Sequence, residues 1–419
     1  MKSTPLLLRA VGAAALLASF VSCSENLDSS AACAVLCPPV GGDVQNITLD
    51  AVVLDTTVQA LAGLGAESGL LLASRGDTLE TRVVIRFDSL PSTFIPKGDT
   101  AQPIKTVDSA YLRLTIDTAS IKGTGPFTIE AYDVDTTAND TSTAAILSLF
   151  RPDRFISSQL FSRADLKDTV QYFISNDTLL AKIQSAARLR IGLRVTSPSS
   201  AQLLIASTEV SQSAVLSFRA TPDTATPRLS VAPLSSTPTD DPILRTHLAD
   251  YTLVVTGPPR TDPSELAVGG LPPRRTYIRF DIPRNIIDSS TVVRATLILN
   301  QVPHPLLDPA DTVRLLPGLV LAGTAVTDPT KAAQIATDIA LDTVYVKPGN
   351  SGPVQVELAR AFSIWRTQSA DSTARAIVLR AAREGLSAVE VSFSSSSAPA
   401  ALRPQLRISY TPRVPLGLP

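Results

Sequence analysis

Beyond residue 37 the chain contains no cysteine. All three, Cys23, Cys33 and Cys37, lie near the start of its 419 residues. Whatever folds downstream therefore has neither a disulfide nor a thiolate metal site to hold it. Histidine is nearly as scarce. His247 stands beside a Pro- and Thr-rich stretch and His304 between two prolines, and neither has a companion at H-x3-H spacing. No G-x-S-x-G accompanies them, which argues against a serine-nucleophile triad. The glycines of Gly63 to Gly69 do not make G-x-G-x-x-G, which argues against a phosphate cradle. Aromatics are thin at 5%, with one tryptophan, Trp365. Neither sign of charge dominates: 37 Lys and Arg stand against 38 Asp and Glu. A chain so balanced has no global basic field for nucleic acid. No later stretch has the 18 consecutive apolar residues of a membrane-spanning helix. With no catalytic pattern in view, a non-catalytic chain is expected.

The N-terminus is richer in signal. Residues 1–22 read as a secretory signal peptide, with Lys2 and Arg9 preceding the apolar run Ala10 to Phe20. The run ends in Phe20-Val21-Ser22-Cys23, which resembles the bacterial lipobox, with Phe20 where Leu is usual. That resemblance implies lipidation of Cys23. Its acyl chains would bury methylenes at about 0.8 kcal/mol each and hold the protein at a membrane without a spanning helix. The other reading is an ordinary signal peptide cut nearby. Ser24 rather than Asp after the cysteine points to the outer membrane, at its periplasmic face or the cell surface. Residues 23–45 are small, polar and Pro-containing, and read as a tether. Cys33 and Cys37 within it are either a local disulfide or two free thiols. As a metal or redox pair they lack companions.

The remainder favours strands. Pro, Thr, Ser and Val are plentiful, and short alternating runs recur with turn signals between them. Ser109 to Ile116 sets Tyr111, Arg113 and Thr115 against Leu112, Leu114 and Ile116, a half-buried strand pattern. Short helices are expected near Ala144 to Phe150, Leu179 to Ala186 and Ala359 to Arg366. The pattern is written twice. Arg82-Val83-Val84-Ile85-Arg86-Phe87-Asp88 has its twin in Thr276-Tyr277-Ile278-Arg279-Phe280-Asp281. Each is preceded by an apolar run and followed by another, Ala110 to Leu114 and Ala295 to Leu299, in the same order. Val389 to Phe393 is matched to Ala214 to Phe218, and Arg403 to Tyr410 to Thr226 to Val231. The expected organisation is all-β: a first sandwich over 46–233, a linker over 234–243, a second sandwich over 244–411 and a tail over 412–419.

The order strand, Ile-Arg-Phe-Asp, Pro-containing loop, Ala-x-Leu-x-Leu and terminal Pro-x-Leu-x-Ile/Val resembles the DNRLRE-type domain. Such domains are similar to disaggregatase-related carbohydrate-binding modules of secreted and surface proteins. The resemblance covers both repeats and implies tandem jelly-roll-like antiparallel sandwiches. It also implies a binding or adhesion role, with polysaccharide as candidate ligand. The alternative is a structural spacer or assembly component bound to an envelope protein.

Strand geometry sends neighbouring side chains to opposite faces. Ile278 and Phe280 then point one way and Tyr277, Arg279 and Asp281 the other. If the second face is open, Arg86, Tyr277 and Arg279 are the candidate ligand contacts. If it is covered, Arg279 pairs across the sheet. Asp133, Asp135 and Asp140 are spaced as weak candidates for structural calcium, against the plainer reading of a solvated turn.

Overall fold

The computed structural model of the chain describes residues 44–59, 65–96, 100–136, 142–237, 248–257, 262–303, 311–320, 336–367 and 375–413. The signal peptide, nearly all of the tether and the three cysteines lie outside the described residues. So do residues 238–243 of the expected linker, both histidines, Asp140 and the tail from 414.

The protein is all-β, with antiparallel sheets in a sandwich-like architecture. The chain opens with β1 (Gln45–Leu49) and β2 (Val52–Gln59), then β3 (Gly69–Arg75) and β4 (Leu79–Phe87). A small hairpin, β5 (Thr93–Phe94) and β6 (Gln102–Pro103), precedes β7 (Asp108–Thr115) and β8 (Phe127–Asp133). Next come β9 (Phe155–Phe161), β10 (Thr169–Phe173), β11 (Leu189–Thr196), β12 (Ala201–Ala206), β13 (Val215–Arg219), β14 (Leu229–Val231) and β15 (Asp250–Thr256). The second half carries β16 (Glu265–Gly269), β17 (Arg274–Phe280), β18 (Ser290–Val302), β19 (Val313–Val320), β20 (Ala336–Ala340) and β21 (Val344–Val346). It ends with β22 (Gly352–Glu357), β23 (Ala376–Ala381), β24 (Glu390–Ser394) and β25 (Gln405–Pro412). Helices form at Thr143–Leu147, Asn176–Gln184 and Ala359–Thr367, where the sequence places them, and at Arg284–Ile287.

In the first unit a sheet ordered β12-β3-β4-β11-β8-β9 lies against a second ordered β10-β7-β13-β14, and β15 also pairs with β4. Leu72, Ile85 and Ile129 from one sheet meet Leu112, Leu114 and Leu216 from the other in a single buried core. The alternation read in β7 holds: Ala110, Leu112 and Leu114 are buried while Ser109 and Arg113 face out. The second unit is one sheet that folds over on itself. β18, 13 residues long, pairs with β25 along most of its length and with β24 at its end, so it joins the two layers. Ile278, Phe280, Leu297, Leu379 and Trp365 share that core.

The two ends of the chain meet in the second unit. β1 pairs with β25 in the register Gln45↔Tyr410 to Leu49↔Leu406. β2 pairs with β17, from Gln59↔Arg274 to Val52↔Phe280. Meanwhile β15 pairs with β4 of the first unit, Asp250 opposite Ile85. The boundaries 46–233 and 244–411 therefore need correction. The first unit runs continuously from 69 to 256, and the second consists of 265–412 plus 45–59. Sequence order favours neighbouring strands as partners, but among the described residues it is the N-terminal pair that covers the remaining edges of β17 and β25. Two strand matches shift as well. β24 pairs with β16 as β12 pairs with β3, and β25 pairs with β18 as β13 pairs with β7. β24 thus answers β12, β25 answers β13, and β1 stands where β14 stands.

The two closing strands, β2 and β15, are fastened by the same hydrogen bonds. The Asp250 carboxylate accepts from Thr208 N–H at 2.9 Å and from Thr208 Oγ1 at 2.8 Å. Asp55 accepts from Ser396 N–H at 2.6 Å and from Ser396 Oγ at 2.7 Å. Two residues on, Thr252 Oγ1 accepts from Leu71 N–H at 2.9 Å, and Thr57 Oγ1 accepts from Ala267 N–H at 2.9 Å. The neighbouring strand answers with Thr81 donating to Leu71 O at 2.6 Å and Thr276 to Ala267 O at 2.8 Å. Bonds to a charged acceptor contribute about 1.5–3 kcal/mol each, enough to choose which edge a mobile strand covers.

Asp250 is fully buried, and burial pushes its carboxyl up to about 6 despite the two bonds from Thr208. Because the folded value lies above the unfolded one, Asp250 favours the native state most at low pH, and that contribution fades as pH rises from about 4 through about 6. At 1.36 kcal/mol per unit the loss is on the order of 3 kcal/mol. Urea midpoints measured from pH 4 to 7 should fall for the wild type relative to Asp250→Asn across this window. Parallel curves would show that Asp250 titrates normally.

Candidate binding cleft between the two units

The Arg-Phe-Asp strands do not present an open ligand face. Arg86 is fully buried. Its guanidinium donates to Thr237 Oγ1 at 2.7 Å, Ser235 Oγ at 3.3 Å and Tyr251 Oη at 2.9 Å, and lies 5.1 Å from the Tyr251 ring centre. Asp88 accepts both prongs of Arg190 at 2.8 and 2.7 Å, and both N–H and Oγ of Ser236 at 2.8 and 2.9 Å. Burial alone would raise the Asp88 carboxyl, but the bonds from Arg190 and Ser236 outweigh it and hold it below the usual carboxylate range. The motif thus binds residues 235–237 and β15 to β4, and the start of the expected linker is packed structure. In the twin strand Tyr277 is 4% exposed, covered by Val58 of β2 with Val320 and Val378. Arg279 is half-buried, and Asp281 is exposed where Asp88 is enclosed. Arg86 and Tyr277 are corrected from ligand contacts to internal ties, because strands added from elsewhere in the chain cover the face that alternation left open.

The calcium candidates are also occupied. Asp133 pairs with Lys182 at 2.7 Å, and Asp135 with Arg188 at 2.8 Å and Arg190 at 3.6 Å. With Arg154 also 3.7 Å from Asp133, these carboxylates are paired with four cations and are not vacant cation ligands.

A concave polar surface exists elsewhere, where the two units meet. Leu71, Ala73, Leu79 and Leu204 of the first unit form one apolar cluster with Ala388, Leu271 and Leu386 of the second. Gly385 at φ +73° lies so close to Glu67 that a Cβ there would stand 2.2 Å from its Cγ, so only glycine fits this approach. Beside the cluster is a cleft of about 460 Å³, walled by both units, a volume within the ordinary range for small-ligand sites. The first unit contributes Ser120, Lys122 and Gln202, and the second Asp311, Arg314 and Arg383.

Two polar ties cross the cleft. Lys122 bonds Asp311, whose side chain is 4% exposed. Arg383 donates to Asp117 at 3.1 Å and to Ser120 Oγ at 2.8 Å. Burial pushes the Asp117 carboxyl up, yet the bonds from Ser120 and Arg383 hold it below its usual range. The second Asp311 oxygen, Oδ2, is buried with no hydrogen-bond partner among the described residues. Alternation and repeat matching could not find this site, since its residues sit in turns and strand ends from two units. The usable signal was the doubled D-x-T of Asp55-Thr56-Thr57 and Asp250-Tyr251-Thr252, which marks the closing strands.

No protein-family model matches the chain, and no curated protein matches it by sequence. Among solved structures, allantoicase aligns over 85% of this chain and 93% of its own, at 8% identity and a TM-score of 0.15. The infectious bursal disease virus Gt strain structure aligns over 91% and 78%, at 10% identity and 0.14. The C-terminal domain of the Streptococcus pyogenes antigen I/II-family protein AspA aligns over 83% and 92%, at 8% identity and 0.15. Likenesses this faint carry no activity to the chain.

The twin arginines should behave differently when truncated. Arg86→Ala removes three buried bonds from a charged donor, to Thr237, Ser235 and Tyr251, and should lower the unfolding free energy by about 3 kcal/mol or more. Arg279→Ala should cost clearly less. Chemical denaturation of both variants checks this, and equal losses would show that the two positions do the same work.

Proposed function

We propose that this chain is a non-catalytic lipoprotein of the cell envelope that acts as a binding or adhesion module, with polysaccharide as its candidate ligand. The observation that carries the reading is the cleft: two sandwiches locked by strand closure enclose a polar concavity to which both contribute. The N-terminal sequence agrees with it, since an export signal ending in Cys23 would place the module at a membrane, and Ser24 favours the outer one. The resemblance to DNRLRE-type domains belongs with the same reading. Among the described residues no helix is long and apolar enough to cross a membrane, and a lipid anchor needs none.

A second reading, a spacer or assembly part that binds an envelope protein, is favoured by one surface feature. Phe155, Leu160 and Phe173 are 47%, 65% and 56% exposed on the adjacent strands β9 and β10. Exposed apolar side chains gathered on strand edges are typical of protein contacts.

Cell fractionation and a glycan array on the full chain in detergent test the first reading together. The wild type is expected in the membrane fraction and Cys23→Ser in the soluble one, with retention on at least one polysaccharide. Retention on none, with one stoichiometric protein co-purifying from membranes, would transfer the assignment to the second reading.

A further inference from the structure

We infer that the inter-unit cleft binds an acidic saccharide, a sugar carrying carboxylate or sulfate groups. This rests on the binding-module reading and narrows it to a site and a ligand class. Asp311 Oδ2 is the first reason. Asp311 is 5% exposed and lines the cleft; one of its oxygens is held by Lys122, and the other, Oδ2, is buried with no hydrogen-bond partner among the described residues. A buried carboxylate oxygen left without a donor is costly, and a ligand hydroxyl supplies the missing bond once the Asp311 carboxylate turns toward the cleft.

The cations are the second reason. Lys122, Arg314 and Arg383 line the cleft against one carboxylate, Asp311. Lys122 and Arg383 already have acidic partners. Arg314 does not: its side chain is exposed on β19 with no hydrogen bond or ion pair among the described residues. A free guanidinium at the mouth is a fork for a carboxylate or sulfate. The third reason is what the wall omits. No aromatic side chain is among the described lining residues, so a ligand recognised by stacking has no platform, whereas one recognised by hydroxyls and charge has both contacts. Gln202, whose amide has no partner among the described residues, offers a donor and an acceptor alongside. Hydroxyls for Asp311 and Gln202 together with an anion for Arg314 describe an acidic sugar.

Calorimetric titration of the full chain in detergent at low salt, with trigalacturonate, a sulfated chondroitin tetrasaccharide and neutral galactotriose as probes, decides the matter. At least one anionic probe is expected to bind at least tenfold more tightly than the neutral one. Arg314→Gln, an exposed change with no partner to lose, should weaken it at least fivefold, as should Gln202→Ala. The two anionic probes separate carboxylate from sulfate as the recognised group. Anionic binding that both variants leave unchanged overturns the inference, as does equal binding of galactotriose. If only neutral glycans bind and the variants have no effect, the cleft assignment falls while the binding-module reading stands. If no glycan of any charge binds, both fall.

Discussion

The fold depends on the pairing of residues 45–59 with β17 and β25 of the second unit. β17 and β25 are edges without β1 and β2, and an exposed edge is a template for unwanted pairing. Closing so long a loop costs little more than closing a short one, since each doubling of loop length adds only about 0.6 kcal/mol. A few charge-assisted bonds such as those of Asp55 to Ser396 exceed that. The second unit can therefore recruit its closing strands from the opposite end of the sequence.

The closure also joins two units into one object. The first unit closes with β14 and β15, directly ahead of the second unit in sequence, and the second closes with β1 and β2, directly ahead of the first. Each unit is thus covalently continuous with a strand that covers it and with a strand that leads to its neighbour. The Leu71–Leu204–Ala388 cluster then needs only to set the angle, with Lys122–Asp311 and Arg383–Asp117 across the seam. The cleft is a consequence of that seam, where two polar rims meet beside an apolar contact.

Much of the architecture was legible. Alternation identified β7, and the Arg-Phe-Asp pair identified β4, β17 and the repeat, because strand periodicity is a local property of sequence. The partner of a strand is not local. The expected boundaries assigned β2 and β15 each to the unit that follows it in sequence instead of the one it covers. Periodicity could not say whether the Arg86 and Tyr277 faces were open or covered, and Tyr251 and Val58 arrive from those closing strands to cover them. The cleft was not legible, because Lys122 and Asp311 are brought together by the docking of whole units and by no spacing that a reader could measure. The doubled D-x-T, once seen, explains the clamps, but its role becomes visible only when Thr208 and Ser396 are in place.

The most direct test of strand closure is a cross-link between the ends of the chain. Thr48 and Arg407 are both exposed and face each other across β1 and β25. Opposed residues of an antiparallel pair have Cα atoms about 4.5–5.5 Å apart, within disulfide reach. With Cys23, Cys33 and Cys37 changed to Ser, the pair Thr48→Cys and Arg407→Cys should oxidise to a single disulfide within one chain, seen as a 48–407 cross-linked peptide in the monomer. Free thiols throughout, or cross-links found only between chains, would contradict the closure.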